Sequence, residues 1–505
     1  MSNITDDTLN LIKQAHSRNS DNIQKSITTA NNLVAYDLQA PAKNLYPVQT
    51  PIRNTLPRTG GIGTATNWRT VRNIIGSGFD AMGWVPEGQR SGRMSYLTQT
   101  LSASYKTMGE EDQATYESIS AGRGFEDIRA RMTMRLLQKL MLKEESAIIG
   151  GNASVSITAT AAPTMSTGAT GGSLTATTYF AKCVALTYEG FRNSSVTAGV
   201  ATSATITGAD GLTYTLAGGS TAMSAASSGQ ATSGTMTLRM SVPAKVGAIA
   251  YAWYVGTAAS AGATFLQAIT TINSFELTTT PVSSTQADNA TGLGSNNSTN
   301  SLAFDGLLYT AFNTTTPSSS NAGGGYLASL ATGTAGTGTP LTSSGRGSVE
   351  EIDEMLVTMW NNNQLSPTVI YCNAQEIRNI SNKVLTGASS SPLVRYNVGA
   401  NEQSMQISAS PFIDTYFNPI TKQPLKVEVH PNIPAGTILA WADNLPAQYQ
   451  SSEVPNVAEV RARQDYYQID WPVTSRQQQV GVYAEEVLVV YAPFAIGVIN
   501  NIANG

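Results

Sequence analysis

From residue 152 to residue 295 the chain carries eight charged side chains: Lys182, Glu189, Arg192, Asp210, Arg239, Lys245, Glu276 and Asp288. Where charge is that sparse, the spacing of the apolar residues decides the fold. Met236, Leu238, Met240 and Val242 alternate with Thr237, Arg239 and Ser241, and Ile249, Tyr251, Trp253 and Val255 alternate with Ala250, Ala252 and Tyr254. That is the two-residue period of a strand. Asp210-Gly211, set between ATIT and LTYTL, is a hairpin signal. About seven short strands around a buried Trp predict an immunoglobulin- or fibronectin-like sandwich, without the Cys–Trp–Cys framework of antibody-type domains. Mixed α/β patterning resumes after residue 295, so the sandwich reads as an insertion.

The rest of the chain must be organised around it. A length of 505 residues predicts about two to four domains. Apolar residues make up 41%, enough for a core, and charged residues 13%, against about 25% in ordinary soluble domains. Ala, Ser, Thr, Gly and Asn take the place of charge. That suits a β-rich, loop-rich protein that meets other proteins more than water, although secreted β-domains share the composition. The net charge of -4 gives no global nucleic-acid signal. No apolar run is long enough to span a bilayer. The start, MSNITDDTLNLIKQ, lacks the basic-then-apolar layout of a secretory signal, so the expectation is a protein kept in a cytoplasm. Cys183 and Cys372 are then two reduced, partly buried thiols, with a single disulfide the alternative.

Residues 1–60 read as an arm. Leu9, Ile12, Ile23, Ile27, Ala30 and Val34 have helical spacings broken by a polar run, predicting two short amphipathic helices. Pro41, Pro47, Pro51 and Pro57 then favour an extended path. Gly60, Gly61 and Gly63 predict a flexible elbow through 60–75. Residues 79–108 predict a two-stranded excursion, FDAMGWVPEG turning at Pro86-Glu87-Gly88 into a strand through Leu97, Leu101, Ala103 and Tyr105. Residues 124–149 predict the clearest helix. Ile128, Met132, Leu136, Leu140 and Met141 form one stripe, and charged residues including Glu144 surround it. At about 1.5 Å per residue it spans about 39 Å, and one narrow stripe lays it across a surface. Residues 302–455 predict a compact α+β body with a loop or flap over 314–347, a capping box at Ser348-Val-Glu-Glu351, a buried strand at 368–372 and a helix capped by Asn373 with Glu376. Val457–Trp471 and Val480–Tyr491 are long strands that must pair with something earlier.

The search for chemistry predicts no catalytic, cofactor or metal site. The two histidines are His16, in the arm, and His430, read as structural at a strand end. No HExxH, CxxC, GxSxG or phosphate-binding loop occurs. Glu110-Glu111-Asp112, Glu350-Glu351 and Glu485-Glu486 are sequence neighbours whose side chains diverge, so they form no acid–base pair by themselves. Arg53, Arg58, Arg69 and Arg72 form a basic run that suits either non-specific phosphate contact or an acidic patch on a neighbouring subunit. Lys106 is of a type that can form an isopeptide with a neighbouring Asn, and only its residue type supports this.

Four segments in order carry a resemblance. TPIRNTLPR (50–58) with its glycines, FDAMGWVPEG (79–88), KEESAIIGG (143–151) and FDGLL (304–308) are similar to the arm junction, extended loop, spine-helix end and re-entry segment of Hong Kong 97-type capsid proteins of tailed phages, encapsulins and herpesvirus shells. The resemblance covers the chain outside the insertion. It implies an α+β capsid fold plus an inserted all-β sandwich: arm 1–60, extended loop 61–112, peripheral domain with spine helix 113–152, sandwich 153–295, axial domain mostly 296–455, and return strands of the peripheral domain 456–505. It implies a major capsid protein, not an enzyme, that self-assembles into hexamers and pentamers around phage double-stranded DNA, touching that DNA non-specifically. Portal and decoration proteins are implied partners, and no membrane or cofactor is. Many members carry a scaffolding segment ahead of the arm. Only residues 1–40 stand there here, which implies a separate scaffolding protein or none. Candidate assembly residues are Arg53 and Arg58 in the arm, Trp84, Glu87, Tyr105 and Lys106 in the excursion, and Arg131 and Arg135 on the helix. The insertion is expected to project as a surface knob whose deletion over 155–285 leaves assembly intact. The alternatives are a tail, fibre or adhesin protein with an immunoglobulin-like domain, and a glycosidase, which few aromatics and few charges disfavour.

Overall fold

The computed structural model describes Asn10 and residues 46–76, 82–123, 126–207, 211–313, 324–344, 347–385, 413–446, 456–473 and 475–503. The two arm helices and His16 lie outside the described residues, as do residues 79–81 of the excursion, Asp210, and 314–323 and 345–346 of the loop or flap.

The fold is α+β, built on two sheets. The first has four strands in the order Arg58–Gly60, Ala458–Asp470, Gln477–Val490, Lys106–Thr115. The arm strand joins it in parallel, from Arg58 opposite Val460 to Gly60 opposite Ala462. The helix Ile128–Gly150 lies across this sheet. Met132, Leu136 and Leu140 pack on Ala114, Val480, Val482 and Ala484. It begins at 128 rather than 124 because Asp127 is its N-cap, accepting from the Arg129 and Ala130 amides at 3.1 and 3.2 Å.

The second sheet has six strands: Tyr326–Ser329, Ile496–Asn500, Ile438–Trp441, Val369–Cys372, Pro424–Val429 and Thr415–Phe417. The helices Glu350–Asn363 and Ala374–Leu385 supply much of its covering. The C-terminal strands therefore do not all enter the four-stranded sheet. Residues 458–490 do, but a 3-10 turn at Pro493–Ala495 breaks the path and sends Ile496–Asn500 into the six-stranded sheet. The capping box at Ser348 is not made either. Val349 holds the N-cap position without a side-chain cap, and Glu351 accepts from the Thr342 amide at 3.0 Å.

The excursion is a ribbon whose legs differ from those expected. Ala65–Ile75, expected to be a flexible elbow, pairs antiparallel with Ser95–Ser104. Its Thr, Trp, Val and Ile residues suit an extended chain. Residues 82–94 form the tip, and the turn at Pro86 lies inside it: the Gln89 amide donates to the Pro86 carbonyl at 3.1 Å, with Gly88 at φ 76°.

The insertion is a seven-stranded, two-layer sandwich. Sheets Ser274–Leu277, Thr237–Ser241, Thr164–Gly168 and Thr264–Thr270, Ala250–Gly256, Thr178–Leu186, Gln230–Ala231 enclose Trp253, Tyr251, Leu238 and Met240. Counted along the sandwich, strands seven, four and one form one layer and strands six, five, two and three the other. Alternation along each strand fixes which face is buried and leaves the pairing of distant strands open. Ser203–Thr207 and Thr213–Ala217 form a separate ribbon.

The insertion is also no loosely attached knob. Tyr188 and Ile249 belong to the same core as Ile148, Phe304 and Leu307. Asn273 and Asn501 exchange hydrogen bonds at 2.8 and 3.0 Å across the junction. Cys183 and Cys372 are free and buried, one in the sandwich and one in the six-stranded sheet.

Candidate assembly surfaces

The arm enters the body through one short helical turn, Pro51–Thr55. Proline at the first position has no amide to satisfy, but those of Ile52 and Arg53 must find acceptors. Glu145, far along the chain at the end of the long helix, supplies both: Oε1 accepts from Ile52 at 3.0 Å and Oε2 from Arg53 at 2.7 Å. Oε1 also lies 2.6 Å from His430 Nε2. The Asn432 amide donates to His430 Nδ1 at 3.1 Å, which places the ring proton on Nε2. Glu145 and His430 are both fully buried. His430 thus ties the six-stranded sheet to the arm root, a structural role as the sequence suggested.

Glu144 gathers the arm's positive charge. It pairs with Arg53 Nε at 2.6 Å, with Arg58 Nη1, and with the Tyr466 hydroxyl. Arg58 Nη2 reaches Asp465 and Glu486, each at 2.8 Å. Both guanidiniums lie over the Tyr466 ring, 5.3 and 5.2 Å from its centroid, within cation–π range. Burial works against the Arg58 charge, but Glu144 and Glu486 outweigh it and hold the group above its ordinary value. Burial also opposes ionisation of Asp465, and Arg58 outweighs it to hold that carboxyl low. Burial, and then Glu144, pushes the Glu486 carboxyl up to about 8.

Arg53 and Arg58 are therefore held inside the subunit, where the sequence reading offered them to phosphate or to a neighbour. Glu144, read as a charge around the helix stripe, and Glu145 were missed. A signal existed: Met132, Leu136, Leu140, Glu144 and Ile148 recur every four residues, so Glu144 continues the buried stripe.

The other candidates separate. Tyr105 fastens the ribbon base, its hydroxyl 2.6 Å from Thr66 Oγ1, and a Cβ on Gly61 would overlap that hydroxyl. Lys106 Nζ donates to the Ser301 carbonyl at 2.6 Å. Arg131 pairs with Glu126. Trp84, Glu87 and Arg135 are exposed, and Arg69 is exposed on a ribbon leg. The Arg72 side chain lies outside the described residues.

The ribbon beyond its base is open on both faces. Trp84 is 91% exposed, Met94 66%, Tyr96 65%, Val71 60% and Leu97 55%. Among the described residues no group of three or more His, Cys, Asp or Glu side chains is arranged to hold a metal. No helix among them is long and apolar enough to cross a membrane.

No protein-family model and no curated protein sequence matches the chain. Solved structures do align with it. The capsid of cyanophage A-1(L) is 11% identical, covering 94% of this chain and 99% of that one with a TM-score of 0.44. The capsid of Myoviridae phage XM1 is 9% identical over 94% and 99%, at 0.41. The holo-SrpI encapsulin complex from Synechococcus elongatus PCC 7942 is 9% identical over 95% and 97%, at 0.41.

Proposed function

We infer that this chain is a major capsid protein of a tailed phage, a subunit that closes into an icosahedral shell around double-stranded DNA. The observation that supports this best is the ribbon, Ala65–Ile75 with Ser95–Ser104, and its tip. A two-stranded ribbon is marginal in water, and one that exposes Trp84, Val71, Tyr96 and Leu97 leaves apolar area that a second surface must cover. The body behind it packs its described residues into apolar cores, so it is the ribbon that calls for a neighbour.

On this reading the four-stranded sheet with its long helix is the peripheral domain and the six-stranded sheet the axial domain. Five or six axial domains meet at each symmetry axis, and the ribbon lies over the adjacent subunit. The ribbon tip, with Trp84 and Glu87, and the exposed Arg135 are the assembly contacts. Arg53, Arg58 and Tyr105 act indirectly, by fixing where arm and ribbon leave the body. Lys106 and Arg131 serve the same end through Ser301 and Glu126. A scaffolding protein, a portal and decoration proteins are the further partners this role calls for. The shell forms in the host cytoplasm.

Electron microscopy and light scattering of the purified protein test the proposal. Closed particles of uniform diameter are expected. A chain that remains monomeric across salt, pH and concentration, with and without its scaffolding partner, overturns it.

A further inference from the structure

The arm root contains more carboxylates than cations can match. Glu144, Glu145, Asp465 and Glu486 face Arg53 and Arg58. Glu145 is satisfied by two backbone amides and His430, and Asp465 is the most exposed of the four. That leaves the buried Glu486 with Arg58 as its one cation, a guanidinium it shares with Asp465 and with the buried Glu144, which Arg53 also meets. Glu486 Oε2 takes its hydrogen bond from Arg58, while Glu486 Oε1 is buried without a partner. A bare anionic oxygen in that position is costly, and a neutral carboxyl group is far less so.

We propose that the arm root is a proton-held latch: Glu486 keeps a proton so that it can stand beside Glu144 on Arg58, and losing that proton loosens the arm from the body. The step is a simple ionisation, the proton passing from the Glu486 carboxyl to water. Burial and the neighbouring Glu144 support it by pushing that carboxyl up to about 8 from the 4.5 of an exposed glutamate. Because the folded root binds the proton more tightly than the open chain does, its hold is fullest below about 4.5. It weakens as pH rises and is fully lost once pH has passed through about 8.

The groups facing Glu486 are accounted for on every side. The arm offers Arg58 and, beyond it, Arg53. The long helix offers Glu144. The adjoining strand offers Asp465 and Tyr466, whose hydroxyl burial and Glu144 hold above its ordinary value. Across the sheet Lys106 stands opposite in register, but its amine is engaged by the Ser301 carbonyl.

The latch is a property of one subunit and does not rest on shell assembly. Hydrogen exchange of the full chain at pH 6.5 and pH 9, corrected for intrinsic rates, tests it. Protection of residues 51–60, relative to 132–140 of the long helix, is expected to fall on the order of tenfold at the higher pH. Glu486→Gln keeps the shape without the charge and is expected to hold its protection at both pH values. Glu144→Gln removes one like charge from beside Glu486 while its burial stays, and is expected to shrink the pH step without abolishing it, which keeps the test decisive if the first variant does not fold. Unchanged wild-type protection between the two pH values, a step that persists in Glu486→Gln, or a step of full wild-type size in Glu144→Gln overturns the proposal.

Discussion

Glu144 and Glu145 are neighbours that perform different tasks, and each is set by which way its side chain leaves the helix. Glu145 turns to the backbone of the arm, where the amides of Ile52 and Arg53 and the ring of His430 converge on it. Glu144 turns to the arm's side chains. Both oppose the dipole at the C-terminal end of their helix, and the cations and amides they collect offset that cost. Replacing Glu145 by Ala strands three donors at once, two of them buried. We expect Glu145→Ala to lower subunit stability by about 3–5 kcal/mol, read from urea unfolding. A loss below about 1 kcal/mol would mean that the arm root contributes little to holding the body together.

The ribbon and the long helix show how an element's surroundings govern what a substitution does. On the helix, Leu140 is completely buried against the four-stranded sheet, so its stripe stabilises the subunit. On the ribbon, Trp84 and Leu97 are exposed, so they can stabilise only a contact between subunits. The double variant Trp84→Ser, Leu97→Ser should leave the unfolding midpoint of the free subunit nearly unchanged, since exposed substitutions shift stability by about 0.5 kcal/mol or less. The same variant should abolish closed particles in electron micrographs. Particles forming at the wild-type yield would remove the ribbon from the contact. At its base the ribbon packs closely: a side chain at position 61 would have to push the Tyr105 ring aside.

For the whole molecule, the decisive fact is that the insertion is part of the core. Tyr309 accepts from the Tyr188 amide at 3.0 Å and donates to the Gly247 carbonyl at 2.9 Å. Asn273 bridges to Thr332 at 2.8 Å as well as to Asn501. Deleting 155–285 removes Tyr188, Ile249 and Asn273 together, opening a cavity beside Leu307 and Tyr309 and taking the Asn273 amide away from the buried Asn501 Oδ1. We expect the deletion to be insoluble or unable to assemble, measured by solubility and light scattering; soluble, shell-forming protein would restore the view of a dispensable knob. The sequence by itself determined the long helix, the β character of the insertion and the α+β body after it, because each is written in local periodicity. Only the tertiary structure decided that Ala65–Ile75 is a ribbon leg, that Ile496–Asn500 crosses to the second sheet, how the strands of the sandwich divide between its layers, and that Arg53 and Arg58 pair within the subunit. The reason is physical: period fixes which face of an element is apolar, while strand partners and the counter-charges of buried ions come from residues hundreds of positions away, as Arg58 and Glu486 do.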